Sequence, residues 1–357
     1  MKYAVADISS SSLSVIIAEI CGTEIEVTGK ERESLSLLYY MDGKDLSRRG
    51  MEKLAAALAQ MKSRLAEIGV GKCWLIATAA LRHIGNFAEV TEFVRQRTGL
   101  IVNLIDGKSE AYCDYIANRC YSSCDRAVLV DLGGKSMEIC ALGDGKDGMV
   151  CFDFGLIDLY EKFADKIKPD ENEAKDMGKY VRTRFDKAGL PEDGEYKTVV
   201  LVGQTCGSIY DMYKEFTDTD EGDGAKTMER KALFRLIKRL ISGADRSRLI
   251  LQTAPEKTHV ILPAAVVLKK LIKRFDATNL IVSDYGVKEG YLSLMLDGKE
   301  SGAYYDFGSE STEGDARMPL GKRDKGRTGS RTPVRRNKSE EIPAKKRVKS
   351  AGDGKQS

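Results

Sequence analysis

The chain has 357 residues, 42% hydrophobic and 31% charged, which suits a soluble protein of two domains of ~150 residues each. Its net charge of +3 hides a split. Arg317–Ser357 carries 14 basic and 4 acidic residues, net +10, whereas Met1–Ala316 is net −7. The longest apolar run, Val260–Leu268, has nine residues and contains Pro263, too short for a membrane-spanning helix of ~20.

Asp7 interrupts the first apolar run, so no secretory leader is expected. The eight cysteines form no Cys-x-x-Cys pair, and the two histidines, His83 and His259, are 176 residues apart. A structural zinc site is therefore not expected. Free thiols and a cytoplasmic location are.

In chain order, Lys2–Ile8, Leu13–Ile20 and Glu24–Val27 read as three successive strands. Met51, Leu54, Leu58, Met61, Leu65 and Ile68 alternate steps of three and four, which predicts a helix ending at Gly69. Cys73–Ala77 reads as a strand. Asn86 with Glu89 resembles a capping box for a helix that stops at Gly99. Ile101–Ile105 is a strand and Ser109–Arg119 a helix. The second half repeats the style, with strands at Ala127–Val130, Met137–Leu142, Val150–Phe154, Thr198–Val202 and Leu280–Val282. Helices are expected at Leu156–Ile167, Glu171–Lys187, from Ser208, and at Met228–Ile241, Val266–Phe275 and Val287–Leu296. Alternation of this kind defines an α/β class with mixed sheets. Ser301–Ser357 is rich in Gly, Ser, Lys, Arg and Pro, and is expected to be a disordered basic tail.

One local pattern occurs twice. Tyr3-Ala4-Val5-Ala6-Asp7-Ile8 leads through four serines, Ser9, Ser10, Ser11 and Ser12, into a returning strand. Val128-Leu129-Val130-Asp131-Leu132 leads through Gly133, Gly134, Lys135 and Ser136 into another. The aspartates are 124 residues apart. Small residues let backbone N–H groups approach an anion closely, and an adjacent Asp can hold Mg²⁺. Two matched copies point to a duplicated domain with phosphate in the cleft between the halves.

These segments resemble the exopolyphosphatase/guanosine pentaphosphate phosphohydrolase (Ppx/GppA) family, from Lys2 to Leu296. The family's D-x-G-S-N-S stands as Asp7–Ser12, its T-x-A-x-R-x-x-x-N as Thr78–Asn86, and its G-x-E-E-A as Gly107–Ala111. Its D-x-G-G-G-S-x-E stands as Asp131–Glu138. A Gly-rich turn corresponds loosely to Gly203–Ser208, and S-x-x-G-x-R-E-G to Ser283–Gly290. The resemblance implies two actin-like (ribonuclease H-like) domains, at 1–123 and 124–300, before the tail at 301–357. It implies Glu110 as general base. Arg82 would be a phosphate fork, with Ser9, Ser10, Ser11, Gly133, Gly134, Lys135 and Ser136 as the cradle. Asp7, Asp131 and Glu138 would be Mg²⁺ ligands. Polyphosphate or a guanosine alarmone (pppGpp) is the expected ligand, a homodimer the expected assembly, and the tail a candidate polyanion contact.

Several positions depart from the pattern. Ser9 replaces glycine, adding a Cβ where positive φ is a concern, and Ser11 replaces asparagine. Lys135 replaces a glycine, and would either obstruct phosphate or supply it a cation. Gln204, Thr205 and Cys206 fill the Gly-rich turn, Lys257-Thr258-His259 replaces R-x-D, and Lys288 replaces arginine. Three functions stay open: a phosphoanhydride hydrolase, a non-catalytic binder of alarmone or polyphosphate, and an ATP-dependent sugar kinase or ATPase.

Overall fold

The computed structural model describes residues 1–9, 12–21, 24–143, 148–166, 168–192, 194–219 and 225–308. The chain opens with β1 (Lys2–Ile8), β2 (Ser12–Cys21) and β3 (Glu24–Ser34), then a small hairpin of β4 (Met41–Asp42) and β5 (Asp45–Leu46). There follow α1 (Arg48–Ile68), β6 (Val70–Ala77), α2 (Ala79–Arg82), α3 (Phe87–Thr98), β7 (Val102–Leu104) and α4 (Gly107–Asn118). The second half starts with β8 (Ala127–Leu132), β9 (Met137–Ala141), β10 (Met149–Phe152), α5 (Leu156–Phe163) and α6 (Glu171–Lys187). It continues with β11 (Thr198–Val202), α7 (Gln204–Thr217), β12 (Lys226–Glu229), α8 (Arg230–Ser242), α9 (Arg246–Thr253) and α10 (Ile261–Phe275). β13 (Asn279–Val282), α11 (Val287–Leu296) and β14 (Tyr304–Asp306) close the described chain.

Two large sheets repeat one topology. In the first, β3, β2 and β1 form an antiparallel meander, and β6 then runs parallel to β1 with β7 parallel to β6. In the second, β10, β9 and β8 form the meander, with β11 parallel to β8 and β13 parallel to β11. This is the duplicated mixed sheet of the actin-like class.

Alternation sorts the first sheet's side chains. Ala4, Ala6 and Ile8 of β1 enter a core with Leu54, Leu58, Met61 and Leu65 of α1. Burying each such leucine contributes about 1.5–3 kcal/mol. Ser47 caps α1 by accepting from the Gly50 N–H at 3.3 Å, and Gly69 closes it in the left-handed region. On the other face Val5, Ile16 and Trp74 meet Tyr291 and Leu292 of α11. The second sheet packs Val128, Val130, Val199 and Leu201 against helices that include α10.

The chain after β13 differs from the expected boundary at residue 300. Helix α11 returns to the first sheet, because Tyr291 and Leu292 cover the face that α1 leaves open. Gly290 permits this approach, since a side chain there would overlap the Cys113 carbonyl of α4. β14 then pairs antiparallel with β6, so the expected disorder does not begin at residue 301. Residues 309–357, with most of the expected tail, lie outside the described residues.

Other differences are local. Helix α7 starts at Gln204 rather than Ser208, so the proposed Gly-rich turn is mostly a first helical turn. Lys226–Glu229 is a strand on β13, which delays α8 to Arg230. Pro263 lies inside α10 near its start, a position that loses no intrahelical N–H bond. The seven described cysteines are free. Among the described residues no helix is long and apolar enough to cross a membrane.

Candidate active site

The two hairpin turns occupy equivalent places. Asp7 is the penultimate residue of β1 and lies opposite Ser14; Asp131 is the penultimate residue of β8 and lies opposite Glu138. Each turn is four residues long, between the pairs Ile8–Leu13 and Leu132–Met137. In the first, Ser9 closes the turn itself. Its hydroxyl donates to the Ser12 carbonyl at 2.9 Å and accepts the Ser12 N–H at 3.1 Å. Ser9 does not adopt positive φ, so its Cβ brings no backbone strain. Ser10 and Ser11 lie outside the described residues. In the second turn the carbonyls of Gly133 and Gly134 accept the Leu156 and Ile157 N–H groups, which docks the turn onto the start of α5.

Lys135 turns toward α5. Its ammonium donates to Asp158 at 2.9 Å and Glu161 at 2.8 Å, both on α5. It is paired with α5 rather than a lone cation.

Arg82 ends α2 and Glu110 stands in the first turn of α4. Arg82 Nη2 meets Glu110 Oε2 at 2.5 Å, and its Nε donates to the Ile105 carbonyl at 3.2 Å. Asp106 caps α4 by accepting the Ser109 N–H at 2.7 Å, which fixes the helix end that presents Glu110. Asn86 does not cap α3. Instead its amide clasps Leu46, accepting that residue's N–H at 2.9 Å and donating to its carbonyl at 3.0 Å. Gly85 donates to the Lys44 carbonyl at 2.8 Å, so the loop after Arg82 is fastened to the β4–β5 hairpin.

Around this pair the structure brings carboxylates from both sheets. Burial pushes Glu110 up to about 8, with Arg82 pulling it down and Asp131 and Asp7 adding to the rise. Burial pushes Asp7 up to about 6, with Lys288 opposing and Asp131 reinforcing. Burial raises Asp131 as well, against a hydrogen bond shared with Asp114 and the pull of Lys288. Glu138 is fully buried and its carboxyl is held well above the usual range by burial, then by Glu110 and Asp131. Asp7 Oδ1 and both Glu138 oxygens are buried without a hydrogen-bond partner. Carboxylates in this state call for a cation or a proton.

Gly203 leads into α7 beside Asp131. Its φ is 91°, and a Cβ there would lie 2.6 Å from Asp131 Oδ1. Only glycine therefore brings the uncapped start of α7 against this carboxylate. Lys257 braces that helix start from beneath, donating to the Gln204 carbonyl at 2.5 Å and to Ser208 Oγ at 2.9 Å.

Of the expected site residues, Asp7, Arg82, Glu110, Asp131 and Glu138 converge. Lys288 and Asp114 belong to the same group of interacting charges and were not foreseen as members. Lys288 stood out only as a replaced arginine. Asp114 carried a readable signal, its place one turn after Glu110 on the same helix face. Asp7 and Glu138 offer the oxygen donors that a hard cation takes. Among the described residues, though, no three His, Cys, Asp or Glu side chains form a metal-binding group by themselves. Mg²⁺ is commonly held by one or two carboxylates, waters and substrate phosphates, and these residues fit that pattern.

A duplicated mixed sheet with an Asp-bearing turn in each half, and a buried Arg82–Glu110 pair from the first half beside both, has the actin-like fold. The model of the Ppx/GppA phosphatase family matches residues 16–299, and the chain belongs to that family. It is 24% identical over 299 residues to a guanosine-5'-triphosphate,3'-diphosphate pyrophosphatase of Pseudoalteromonas translucida, covering 82% of this chain. It spans 59% of that relative's length. It is 18% identical to exopolyphosphatase 1 of Mycobacterium leprae, covering 85% of this chain and 91% of the relative. Among solved structures, an exopolyphosphatase from Cytophaga hutchinsonii superposes with a TM-score of 0.73 at 18% identity, covering 84% of this chain and 98% of that one. The Aquifex aeolicus Ppx/GppA family member superposes with a TM-score of 0.69 at 25% identity, covering 85% and 99%.

Proposed function

We propose that the chain hydrolyses the terminal phosphoanhydride of inorganic polyphosphate or pppGpp. The observation that carries this reading is the Arg82–Glu110 pair, set among carboxylates of two equivalent turns. In this reading Glu110 takes a proton from the attacking water once it is ionised, and Arg82 faces the phosphoryl oxygens with its remaining N–H groups. The start of α7 adds backbone donors and a favourable dipole for phosphate. Mg²⁺, held by Asp7, Asp131 and Glu138 directly or through water, would neutralise phosphate charge. The names borne by relatives, a pyrophosphatase of guanosine 5'-triphosphate 3'-diphosphate and an exopolyphosphatase, supply the two substrate classes. A homodimer and a polyanion contact through Arg317–Ser357 complete the proposal.

A second reading, a non-catalytic binder of the same ligands, is favoured by two observations. Glu110 is closed onto Arg82 with its pKa raised to about 8, and Lys135 is engaged by α5. Phosphate release from polyphosphate and pppGpp, alongside calorimetry with both ligands, separates the two. Release supports the hydrolase, binding without release supports the binder, and neither overturns both.

A further inference from the structure

After α11 the chain is fastened to the first sheet. The Asn103 side chain clasps Ala303, accepting its N–H at 2.8 Å and donating to its carbonyl at 2.8 Å. Gly302 fits because a side chain there would overlap the Tyr291 hydroxyl. β14 then sets Tyr304 against Trp74, Tyr305 against Cys73 and Asp306 against Lys72 of β6. The Phe307 N–H donates to the Gly71 carbonyl at 2.9 Å. Tyr305 and Phe307 pack edge to face, 5.0 Å apart, against the core under α1. Lys72 and Lys62 stand over the Tyr304 and Tyr305 rings at 4.5 and 3.9 Å. The direction of β14 matters. It runs antiparallel to β6, and β6 runs parallel to β1. The chain therefore leaves β14 at the Lys2 end of β1, about 16 Å along the strand from Asp7. Arg82 follows the opposite end of β6.

Residues 309–357 continue from this point. Arg317–Ser357 carries 14 basic and 4 acidic residues, net +10, and no Phe, Tyr or Trp follows Phe307. That is more charge than one alarmone neutralises, so a polymer of phosphates is the better match. Without aromatic rings the segment has no platform for unpaired bases. Its few apolar residues are scattered, which leaves little to bury in a bilayer. Contact with backbone phosphates remains, and a duplex presents one negative charge per ~1.7 Å of axis. Inorganic polyphosphate is also a polymer. As a substrate, however, its end must reach the Arg82–Glu110 pair, and the segment is rooted at the other end of β6. We propose that Arg317–Ser357 binds the phosphate backbone of duplex nucleic acid, with β14 as its anchor on the first sheet. This rests on the polyanion contact of the reading above and not on the cleft being hydrolytic.

The test is fluorescence anisotropy of the full chain with a labelled duplex of ~20 base pairs, DNA in one arm and RNA in the other. Wild type should lose at least ~10³-fold in affinity between about 50 and 200 mM salt. A full-length variant combining R335Q, R336Q, K345Q, K346Q and R347Q should bind at least ~10-fold more weakly at the lower salt, with a salt slope shallower by roughly four. Binding of either duplex with these losses supports the proposal, and the tighter arm names the source. Equal affinity and slope in both proteins would overturn it. So would absence of duplex binding together with a ~10-fold rise in the variant's KM for polyphosphate, which would make the segment a substrate tether. Tighter binding to anionic lipid vesicles than to either duplex would overturn it as well. Failure of the phosphatase reading appears separately, as absent phosphate release with the salt-sensitive duplex binding intact.

Discussion

The two halves share a sheet order, yet their turns are finished differently. In the first half Asp7 faces Ser14 across the hairpin, and Ser9 ties the turn to Ser12. In the second, Asp131 faces Glu138, and the turn rests on α5 through Gly133 and Gly134. The helix after the fourth strand follows the same contrast. Thr78, beside Asp7, precedes the short α2; Gly203, beside Asp131, precedes the 14-residue α7. Duplication thus supplies two Asp-bearing turns, and divergence gives the second a buried Glu138 opposite its Asp and a longer helix beside it. The first half contributes the Arg82–Glu110 pair instead.

Breaking that pair has the largest expected effect. Arg82→Leu leaves Glu110 buried without its cation, and should cost about 3 kcal/mol of stability by denaturant unfolding at pH 9. At pH 6, where Glu110 keeps a proton, the loss should be much smaller. An equal loss at both pH values would show that the pair is not the source.

Gly203 tests the second half's helix start. Gly203→Ala places a Cβ against Asp131 at positive φ, and should destabilise by about 1–3 kcal/mol in urea. Ser9→Ala removes only turn bonds of the first half and should cost about 1 kcal/mol or less. Reversal of that order would dissolve the contrast between the halves.

The carboxylates also set a pH slope. Asp7 and Glu110 have folded-state pKa values raised from 3.8 and 4.5 to about 6 and about 8. A raised acid binds more protons folded than unfolded. Its contribution is therefore fully present below pH 4 and is lost as pH rises through 6 and 8. The Tm of the metal-free protein should fall between pH 5 and pH 8, and Glu110→Gln should flatten the fall. A Tm that rises over this window would contradict the burial of these groups.

Lys135→Gly should change least. Its ammonium belongs to partly exposed pairs with α5, each worth under about 1 kcal/mol. KM for polyphosphate should shift by less than about 3-fold, whereas a lysine that held phosphate would shift it 10-fold or more.

Periodicity and turn chemistry made most elements legible. The limits of Glu171–Lys187, Thr198–Val202 and Val287–Leu296 were readable to the residue. β12 and β14 were not, because strands of four and three residues carry no period, and β14 finds β6 from more than 200 residues away. The clustering of Asp7, Arg82, Glu110, Asp131 and Glu138 was reachable through motif order. The partners of Lys135 and Asn86 were not, since spacing shows neither α5 nor the β4–β5 hairpin swinging under them. Asp114 and Asn118 lay on a visible four-residue stripe, but a polar stripe reads as solvent-facing until packing buries it.

The most direct test of the central claim is phosphate release from polyphosphate and from pppGpp with Mg²⁺, comparing wild type with Glu110→Gln. The account predicts release by the wild type, rising with pH toward 8, and a loss of ~10²-fold or more in the variant. Equal release by both proteins would contradict it, as would no release by the wild type from either substrate.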